Sequence, residues 1–109
     1  MHEFAITQEI VNVVTENARG ARVKRVVVEI GKLTAIVPEA VSFCFEAITP
    51  GTVAEGATLE IVEIPGRARC RSCGRELILE EPFGLCECGS VSFEWLSGNE
   101  LSVREMELV

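Results

Sequence analysis

The sequence predicts a small α+β domain, built from two helices and a sheet of about three strands, with a four-cysteine module inserted before the last strand. Three observations predict this class: two segments with helical apolar spacing, runs of β-branched residues, and two close cysteine pairs. A chain of 109 residues has room for one ordinary core and a small appendage. We therefore divide it into an α+β domain, residues 1–66 plus 96–109, and a module of residues 67–95.

Two amphipathic helices are predicted. The first runs from Phe4 to Ala18 and ends near Gly20, with polar side chains opposite an apolar face of Ile6, Ile10, Val13, Val14 and Ala18. The second runs from Pro38 to about Thr49, because proline suits a first helical turn. Its apolar face consists of Val41, Cys44, Phe45 and Ile48.

Three segments have the composition of strands. Arg22 to Leu33 is rich in β-branched residues, and Val26, Val28 and Ile30 alternate with Val27 and Glu29. A second strand follows Gly56, from Leu59 to Ile64, and stops at the turn residues Pro65-Gly66. Glu100 to Val109 is the last predicted strand.

Composition and charge narrow the function classes. The formal net charge of -7 would repel a polyphosphate partner, so we expect no nucleic acid to bind. No stretch approaches the roughly 18 consecutive apolar residues of a membrane helix. The N-terminus also lacks the basic region and apolar core of a signal peptide. The sequence therefore predicts a cytoplasmic protein without membrane insertion.

Four of the five cysteines form two close pairs. The pattern is Cys70-Arg-Ser-Cys73-Gly, twelve intervening residues, then Cys86-Glu-Cys88-Gly. In a reducing compartment such spacing indicates metal, and its separation suits the two knuckles of a zinc ribbon. Glycine after each pair, Gly74 and Gly89, permits the positive φ that turns backbone N–H groups toward the sulfurs. The four cysteines are predicted to hold a structural zinc ion with no open coordination position.

Alternatives remain for the cysteines. A rubredoxin-like iron site uses the same four ligands, and four reduced thiols in a small core would need no metal. The second pair is Cys-X-Cys, so the chain must turn more tightly at Glu87 than in an ordinary knuckle. Cys44 lies on the apolar face of the second helix and is interpreted as a buried free thiol.

The N-terminus carries the only histidine. His2 stands beside the α-amino group of Met1 and before Glu3, so amine, imidazole, backbone amides and a carboxylate lie within three residues. Compact, nitrogen-rich coordination of this kind suits Ni(II) or Cu(II). On spacing alone the signal is weak, because an exposed second-residue histidine is usually incidental.

The order of these features resembles one family over essentially the whole chain. Met1-His2-Glu3 opens an amphipathic helix, followed by Val26-Val-Val-Glu-Ile-Gly31, Gly51-Thr-Val-Ala-Glu-Gly56 and the two cysteine pairs. This arrangement resembles the HypA/HybF family of hydrogenase nickel-incorporation proteins. The resemblance implies a nickel metallochaperone, and not an enzyme, that delivers Ni²⁺ during [NiFe]-hydrogenase maturation.

The resemblance also implies ligands and partners. His2 would be the principal nickel ligand, with Glu3 and Met1 completing the N-terminal site, and Cys70, Cys73, Cys86 and Cys88 would hold Zn²⁺. The partners would be the maturation GTPase HypB and the hydrogenase large-subunit precursor, and a homodimer is possible. The chain has no P-loop, as expected if the GTPase is a separate protein.

The sequence departs from the family pattern at two places. Some members have an acidic residue in the loop after the first strand, whereas Thr34-Ala-Ile-Val-Pro38 has none and Glu39 is the nearest carboxylate. The second cysteine pair in the family is usually Cys-X-X-Cys, so Cys86-Glu-Cys88 lacks one residue.

Another class of function remains open, a zinc-ribbon adaptor or binding module that does not handle nickel. Four arginines cluster near the first knuckle, but acidic residues follow closely, which favours a solvated mixed-charge face over a nucleic-acid surface. A hydrolase or oxidoreductase would need an open metal position or a nucleophile with a base, and the sequence offers neither.

Overall fold

The fold is described from a computed structural model, whose described residues are 2–109. Two helices, α1 (Glu3–Ala18) and α2 (Pro38–Ile48), alternate with the strands β1 (Val23–Gly31) and β2 (Thr58–Ile64). Four strands follow: β3 (Gly66–Cys70), β4 (Glu76–Leu79), β5 (Phe93–Ser97) and β6 (Leu101–Leu108). The α+β class is confirmed, as is the position of the cysteine module before the last strand.

The larger part of the molecule is a three-stranded sheet in the order β2-β1-β6 with both helices on one face. Strand β1 pairs in parallel with β2, with Val28 opposite Ile61, and antiparallel with β6, with Val28 opposite Val103. Val26, Val28 and Ile30, which share one side of the predicted alternation, face the helices and are almost completely buried. Helices α1 and α2 contribute Ile10, Val14, Ala18, Val41 and Phe45 to this core.

The face of α1 that is buried differs from the predicted one. Val11 and Thr7 are buried, whereas Val13 is 42% exposed. Thr7 can lie in the core because its hydroxyl donates to the carbonyl of Glu3 at 2.6 Å, which satisfies the polar group within the helix. On α2, Cys44 is only half-buried, so the expected buried thiol is partly open to solvent.

A second sheet of three strands, in the order β4-β3-β5, lies between β2 and β6 in the chain. Residues 66–97, called the cysteine module below, contain this sheet and both cysteine turns. The sequence did not predict its strands, and the domain boundaries given above remain a prediction. The molecule is elongated, with extents of 54 × 22 × 17 Å.

Three glycines allow the two sheets to meet closely. A Cβ added to Gly31 would lie 2.0 Å from the carbonyl oxygen of Gly98, and one added to Gly66 would lie 2.6 Å from Cδ2 of Leu33, in the loop after β1. Leu33 is buried beside Gly66 and Gly98, and its N–H donates to the Gly98 carbonyl at 2.8 Å. The cysteine module is thus packed directly on the end of β1.

No helix within residues 2–109 is both long and apolar enough to span a membrane.

Candidate metal centres

Each cysteine pair lies in a tight turn that ends at a glycine. Gly74 and Gly89 have φ of +79° and +92°, the left-handed region predicted for them. Their N–H groups donate back to the carbonyls of Cys70 and Cys86, at 2.9 and 2.8 Å. The first cysteine of each pair, Cys70 or Cys86, is buried, and the second is exposed.

The two turns bring all four sulfurs together, and the four atoms lie within 4.8 Å of one another. The Sγ atoms of Cys70 and Cys88 are 3.6 Å apart, and those of Cys73 and Cys86 are also 3.6 Å apart. A tetrahedral ion with bonds of about 2.3 Å to sulfur requires sulfur separations of about 3.8 Å. The arrangement therefore fits a four-coordinate metal ion with thiolate ligands.

The shortened pair Cys86-Glu87-Cys88 does not distort this arrangement. In the first turn the N–H of Cys70 donates to the carbonyl of Arg75, five residues on, whereas in the second the N–H of Cys86 donates to Ser90, four residues on. The hydrogen bonds donated by the glycines differ in the same way: the bond from Gly74 to Cys70 spans four residues, and the bond from Gly89 to Cys86 spans three. The missing residue is absorbed within the turn, and both sulfurs still reach the cluster.

The hydrogen bonds around the sulfurs distribute charge unequally in the thiol cluster. The backbone N–H of Cys73, assisted by that of Ser72, lowers the pKa of the Cys70 thiol to about 6 despite its burial. The N–H of Ser90 acts to lower the pKa of Cys88, but the thiols of Cys70 and Cys86 outweigh it and raise that pKa to about 11. One thiolate forms easily and opposes ionisation of the neighbouring Cys88, so a cation that binds all four sulfurs must displace the remaining protons.

The charged residues around the cysteines form pairs across the module. Arg75 of the first turn contacts Glu87 of the second at 2.5 Å, and Arg69 contacts Glu94 at 3.0 Å. Arg67 forms an ion pair with Glu76 on the neighbouring strand. This is the mixed-charge face that the sequence predicted.

The second predicted site lies at the beginning of α1. His2 is the N-cap residue, its carbonyl accepts the N–H of Ile6 at 3.0 Å, and its side chain is exposed. The first four N–H groups of a helix have no acceptor within the helix, and here the N–H of Glu3 donates to its own carboxylate. The predicted nickel ligand Met1 lies outside the described residues.

Glu3 is bound to a distant loop. The N–H of Val37, at the N-cap of α2, donates to Oε2 of the Glu3 carboxylate at 3.2 Å. This bond, and the amide of Glu3 itself, lower the pKa of the carboxyl below its ordinary value. Glu39, the carboxylate nearest to the loop in sequence, is exposed in the first turn of α2. The loop thus contributes a backbone donor to this end of α1 and no acidic side chain.

The bond between Glu3 and Val37 predicts a pH dependence. Because the folded-state pKa of Glu3 is depressed, the bond is intact above the ordinary value of 4.5 and is lost as the pH falls through the lower folded value. In an NMR titration the Glu3 carboxyl carbon and the Val37 amide should shift together, with one midpoint below 4.5. The Glu3→Gln variant should lose the Val37 titration, and a midpoint at or above 4.5 would contradict the assignment.

Comparison with known proteins decides the family. The family model described as "Hydrogenase/urease nickel incorporation, metallochaperone, hypA" matches residues 1–108. The chain belongs to this family. It is 60% identical to the hydrogenase maturation factor HypA of Nostoc punctiforme over 99% of the chain and 96% of the relative. The corresponding protein of Geobacter sulfurreducens is 46% identical, with 99% of both chains covered.

Solved structures agree with this assignment. The fold is similar to the solution structure of the Ni metallochaperone HypA from Helicobacter pylori, with a TM-score of 0.70 and 27% identity. The likeness covers 100% of this chain and 98% of that one. Membership of the HypA family, inferred above from motif order, is therefore confirmed.

Sequence reasoning identified the cysteine cluster but missed one residue at the N-terminal site. Val37 is apolar and lies 34 positions from Glu3, and it acts through its backbone N–H. A backbone donor carries no signal in side-chain chemistry, so only the fold reveals it. The pairing of Arg75 with Glu87 was likewise visible only as a mixed-charge region.

Proposed function

We propose that this protein is a nickel metallochaperone that binds Ni²⁺ at its N-terminus and delivers it during [NiFe]-hydrogenase maturation. The exposed His2 at the beginning of α1 carries the proposal, supported by membership of a nickel-incorporation family. His2, the Met1 amine and the amide nitrogens of the first helical residues provide the compact nitrogen set that Ni²⁺ prefers. An amide nitrogen coordinates Ni²⁺ only after it loses its proton, and in the first helical turn no intrahelical hydrogen bond holds that proton.

The position of the site suits a cargo that must be released. A cation at a helix N-terminus meets the positive end of the helix dipole, which opposes tight binding. The His2 side chain is also exposed to solvent, so exchange with a partner requires little rearrangement. Moderate affinity follows from both features, and a delivery protein needs it.

Glu3 supports this site mainly by position. Its carboxylate already accepts the Val37 N–H, so we assign its contribution to the backbone amide and to the fixed geometry of the first turn. Positioning groups of this kind typically change metal affinity by about ten- to a hundredfold. Loss of the Glu3 carboxylate should therefore weaken nickel binding less than loss of His2.

We assign zinc to Cys70, Cys73, Cys86 and Cys88, where the tetrahedral fit of the sulfurs supports it. Zinc there would stabilise the module, and a complete thiolate shell would leave it no position for substrate. The protein would then act by binding and transfer, and not as an enzyme. We place it in the cytoplasm, with the maturation GTPase HypB and the hydrogenase large-subunit precursor as partners, and urease as a second possible recipient, because the family description includes it.

The test is nickel titration of protein without an N-terminal tag. His2→Ala should weaken Ni²⁺ binding more than about a hundredfold, because it removes the only imidazole from a site with few ligands. Glu9→Gln, an exposed carboxylate change on the same helix, is the control and should bind like the wild type. All variants should contain about one zinc ion per chain.

If the His2→Ala variant bound nickel as tightly as the wild type, the nickel proposal would be contradicted. The zinc-ribbon adaptor would then be the better interpretation. Because the cysteine cluster is unchanged in every variant, a loss of nickel affinity can be distinguished from a loss of zinc. Colourless protein with zinc and without iron would distinguish the zinc site from a rubredoxin-like one.

A further inference from the structure

The cysteine module exposes a group of large apolar side chains that its fold does not use. Phe83, Leu85 and Val91 are 67%, 69% and 72% exposed. They flank the second cysteine turn, Phe83 and Leu85 before it and Val91 after it. Contiguous exposed apolar groups on a soluble protein usually mark a binding surface.

These side chains line one groove. Its volume is about 620 Å³, and its lining residues, called the apolar groove below, are Pro82, Phe83, Gly84, Leu85, Val91, Phe93 and Trp95. Trp95 is 37% exposed, and its ring lies 5.9 Å from that of the buried Phe93 at a tilt of 57°. The groove is therefore lined by aromatic and aliphatic side chains.

The module has its own core elsewhere. That core contains Ala68, Cys70, Cys86 and Phe93, packed against the half-buried Leu77 and Leu79. Only Phe93 belongs to both the core and the groove. The exposed Phe83 and Leu85 can thus be changed with little effect on folding, since their burial contributes little.

The groove is held in shape by the surrounding backbone. Pro82 fixes φ in the loop that carries Phe83, and a Cβ on Gly84 would lie 3.0 Å from the side chain of Leu79, so the loop lies close to β4. Nε of Arg71 donates a hydrogen bond to the Phe93 carbonyl oxygen at 3.1 Å. A preformed surface loses less conformational entropy when a partner binds.

Charge indicates what kind of partner fits. Glu80 and Glu81 are exposed and directly precede Pro82, and within residues 2–109 neither forms an ion pair. Arg67, Arg69 and Arg75 are each paired with a carboxylate, and Arg71 donates to the Phe93 carbonyl. The side of the groove next to Pro82 therefore carries two unpaired carboxylates, Glu80 and Glu81, while Arg71 lies on the Phe93 side. A second copy of this chain, with its formal charge of -7, would be repelled.

We propose that the apolar groove binds a segment of a partner protein that carries one or two large apolar side chains flanked by lysine or arginine. The apolar side chains would cover Phe83, Leu85 and Trp95, and the basic residues would face Glu80 and Glu81. Electrostatic complementarity would guide association, while the aromatic contacts would provide most of the affinity. This surface goes beyond nickel binding at His2 and does not depend on it.

The sole tryptophan makes the proposal testable. Trp95 lines the groove and the chain has no tyrosine, so its fluorescence reports on groove occupancy. A display library of short random peptides is selected against the full-length zinc-loaded protein, and the enriched peptides are then synthesised and titrated. The double variant Phe83→Ser/Leu85→Ser removes the apolar walls. Phe43→Ser is the control, because Phe43 is equally exposed at 74% but lies on α2.

We expect the enriched peptides to combine large apolar residues with lysine or arginine and to shift the Trp95 emission. Affinity should fall at least about tenfold in Phe83→Ser/Leu85→Ser and remain unchanged in Phe43→Ser. Glu80→Lys/Glu81→Lys should also weaken binding and reduce its salt dependence. Zinc content and nickel affinity should be those of the wild type throughout, which separates this result from the proposed function.

Three results would overturn the proposal. The first is the absence of any enriched peptide whose binding depends on Phe83 and Leu85. The second is enrichment of acidic peptides, or affinity unaffected by Glu80→Lys/Glu81→Lys. The third is a dimer in solution that dissociates in Phe83→Ser/Leu85→Ser, because the groove would then be occupied by a second copy.

Discussion

Removing the metal from the cysteine cluster is expected to unfold residues 66–97 while the helical part of the molecule stays folded. The core of the cysteine module has four buried residues, and two of them, Cys70 and Cys86, belong to the cluster itself. A core of this size cannot offset the conformational entropy of the strands without a metal ion. Folding and metal binding should therefore be a single event in this module.

This prediction is best tested with variants that remove a metal ligand but leave the packing of the core unchanged. Cys73 and Cys88 are exposed, so Cys73→Ser deletes one sulfur and leaves the buried Cys70 and Cys86 in place. We expect Cys73→Ser to lose zinc, and the amide signals of residues 66–97 to collapse in a proton–nitrogen NMR spectrum. Signals from β1 should stay dispersed, because Val26 and Val28 belong to the separate core under the helices.

Cys44→Ser is the matched control, because Cys44 is a half-buried thiol outside the cluster. It should retain about one zinc ion per chain and an unchanged spectrum. Metal-free protein that kept dispersed signals for the cysteine module would show that packing alone holds the four thiols together. That outcome would favour the interpretation of the cluster as an ordinary small core.

The sequence predicted the cluster well because its geometry is local. Two residues between Cys70 and Cys73, and glycine after each pair, determine the turns, and the fold has only to bring two turns together. The effect of the shorter Cys86-Glu-Cys88 pair was not predictable, since spacing does not show which hydrogen bond absorbs the missing residue. The structure shows that the closing bonds of the second turn are each one residue shorter.

Helices and long strands were also predictable, whereas short strands were not. Strand β1 has nine residues with clear alternation, but β4 has four and pairs with β3 only over Gly66 to Arg69. Such strands are stabilised by neighbours distant in sequence, so their own composition is a weak signal. The predicted buried face of α1 was partly wrong. Hydropathy ranks Val13 above Thr7, but Thr7 can be buried because its hydroxyl donates a hydrogen bond to the Glu3 carbonyl.

The junction between the sheets was beyond sequence reasoning, because its three glycines lie in separate segments. Turn chemistry identified Pro65-Gly66 as the end of a strand, yet Gly66 shares with Gly31 and Gly98 the role of letting backbones approach. Leu33, whose N–H donates to Gly98, belongs to the same loop as Val37, whose N–H donates to Glu3. One short loop therefore contacts the cysteine module at one end and the N-terminal site at the other.

Adding a methyl group at Gly31 should disrupt this junction. The Cβ of Gly31→Ala would lie 2.0 Å from the Gly98 oxygen and 2.6 Å from the Asn99 nitrogen, and both obstacles are backbone atoms that cannot rotate away. We expect a loss of about 3 kcal/mol in the free energy of unfolding, the upper part of the usual range for over-packing. In a domain of this size that loss lowers the melting temperature by roughly 10–20 °C.

Gly51→Ala distinguishes crowding from ordinary glycine strain. Gly51 has φ of +84° with no atom within 4 Å of an added Cβ, so alanine there costs only the left-handed conformation, about 1 kcal/mol. Thermal unfolding of the two zinc-loaded variants, followed by circular dichroism, compares them directly. Equal melting temperatures would mean that the sheets can separate freely. A much lower value for Gly31→Ala, with broadened Val37 and Gly98 amide signals, would show that the close contact fixes the cysteine module relative to the N-terminal site.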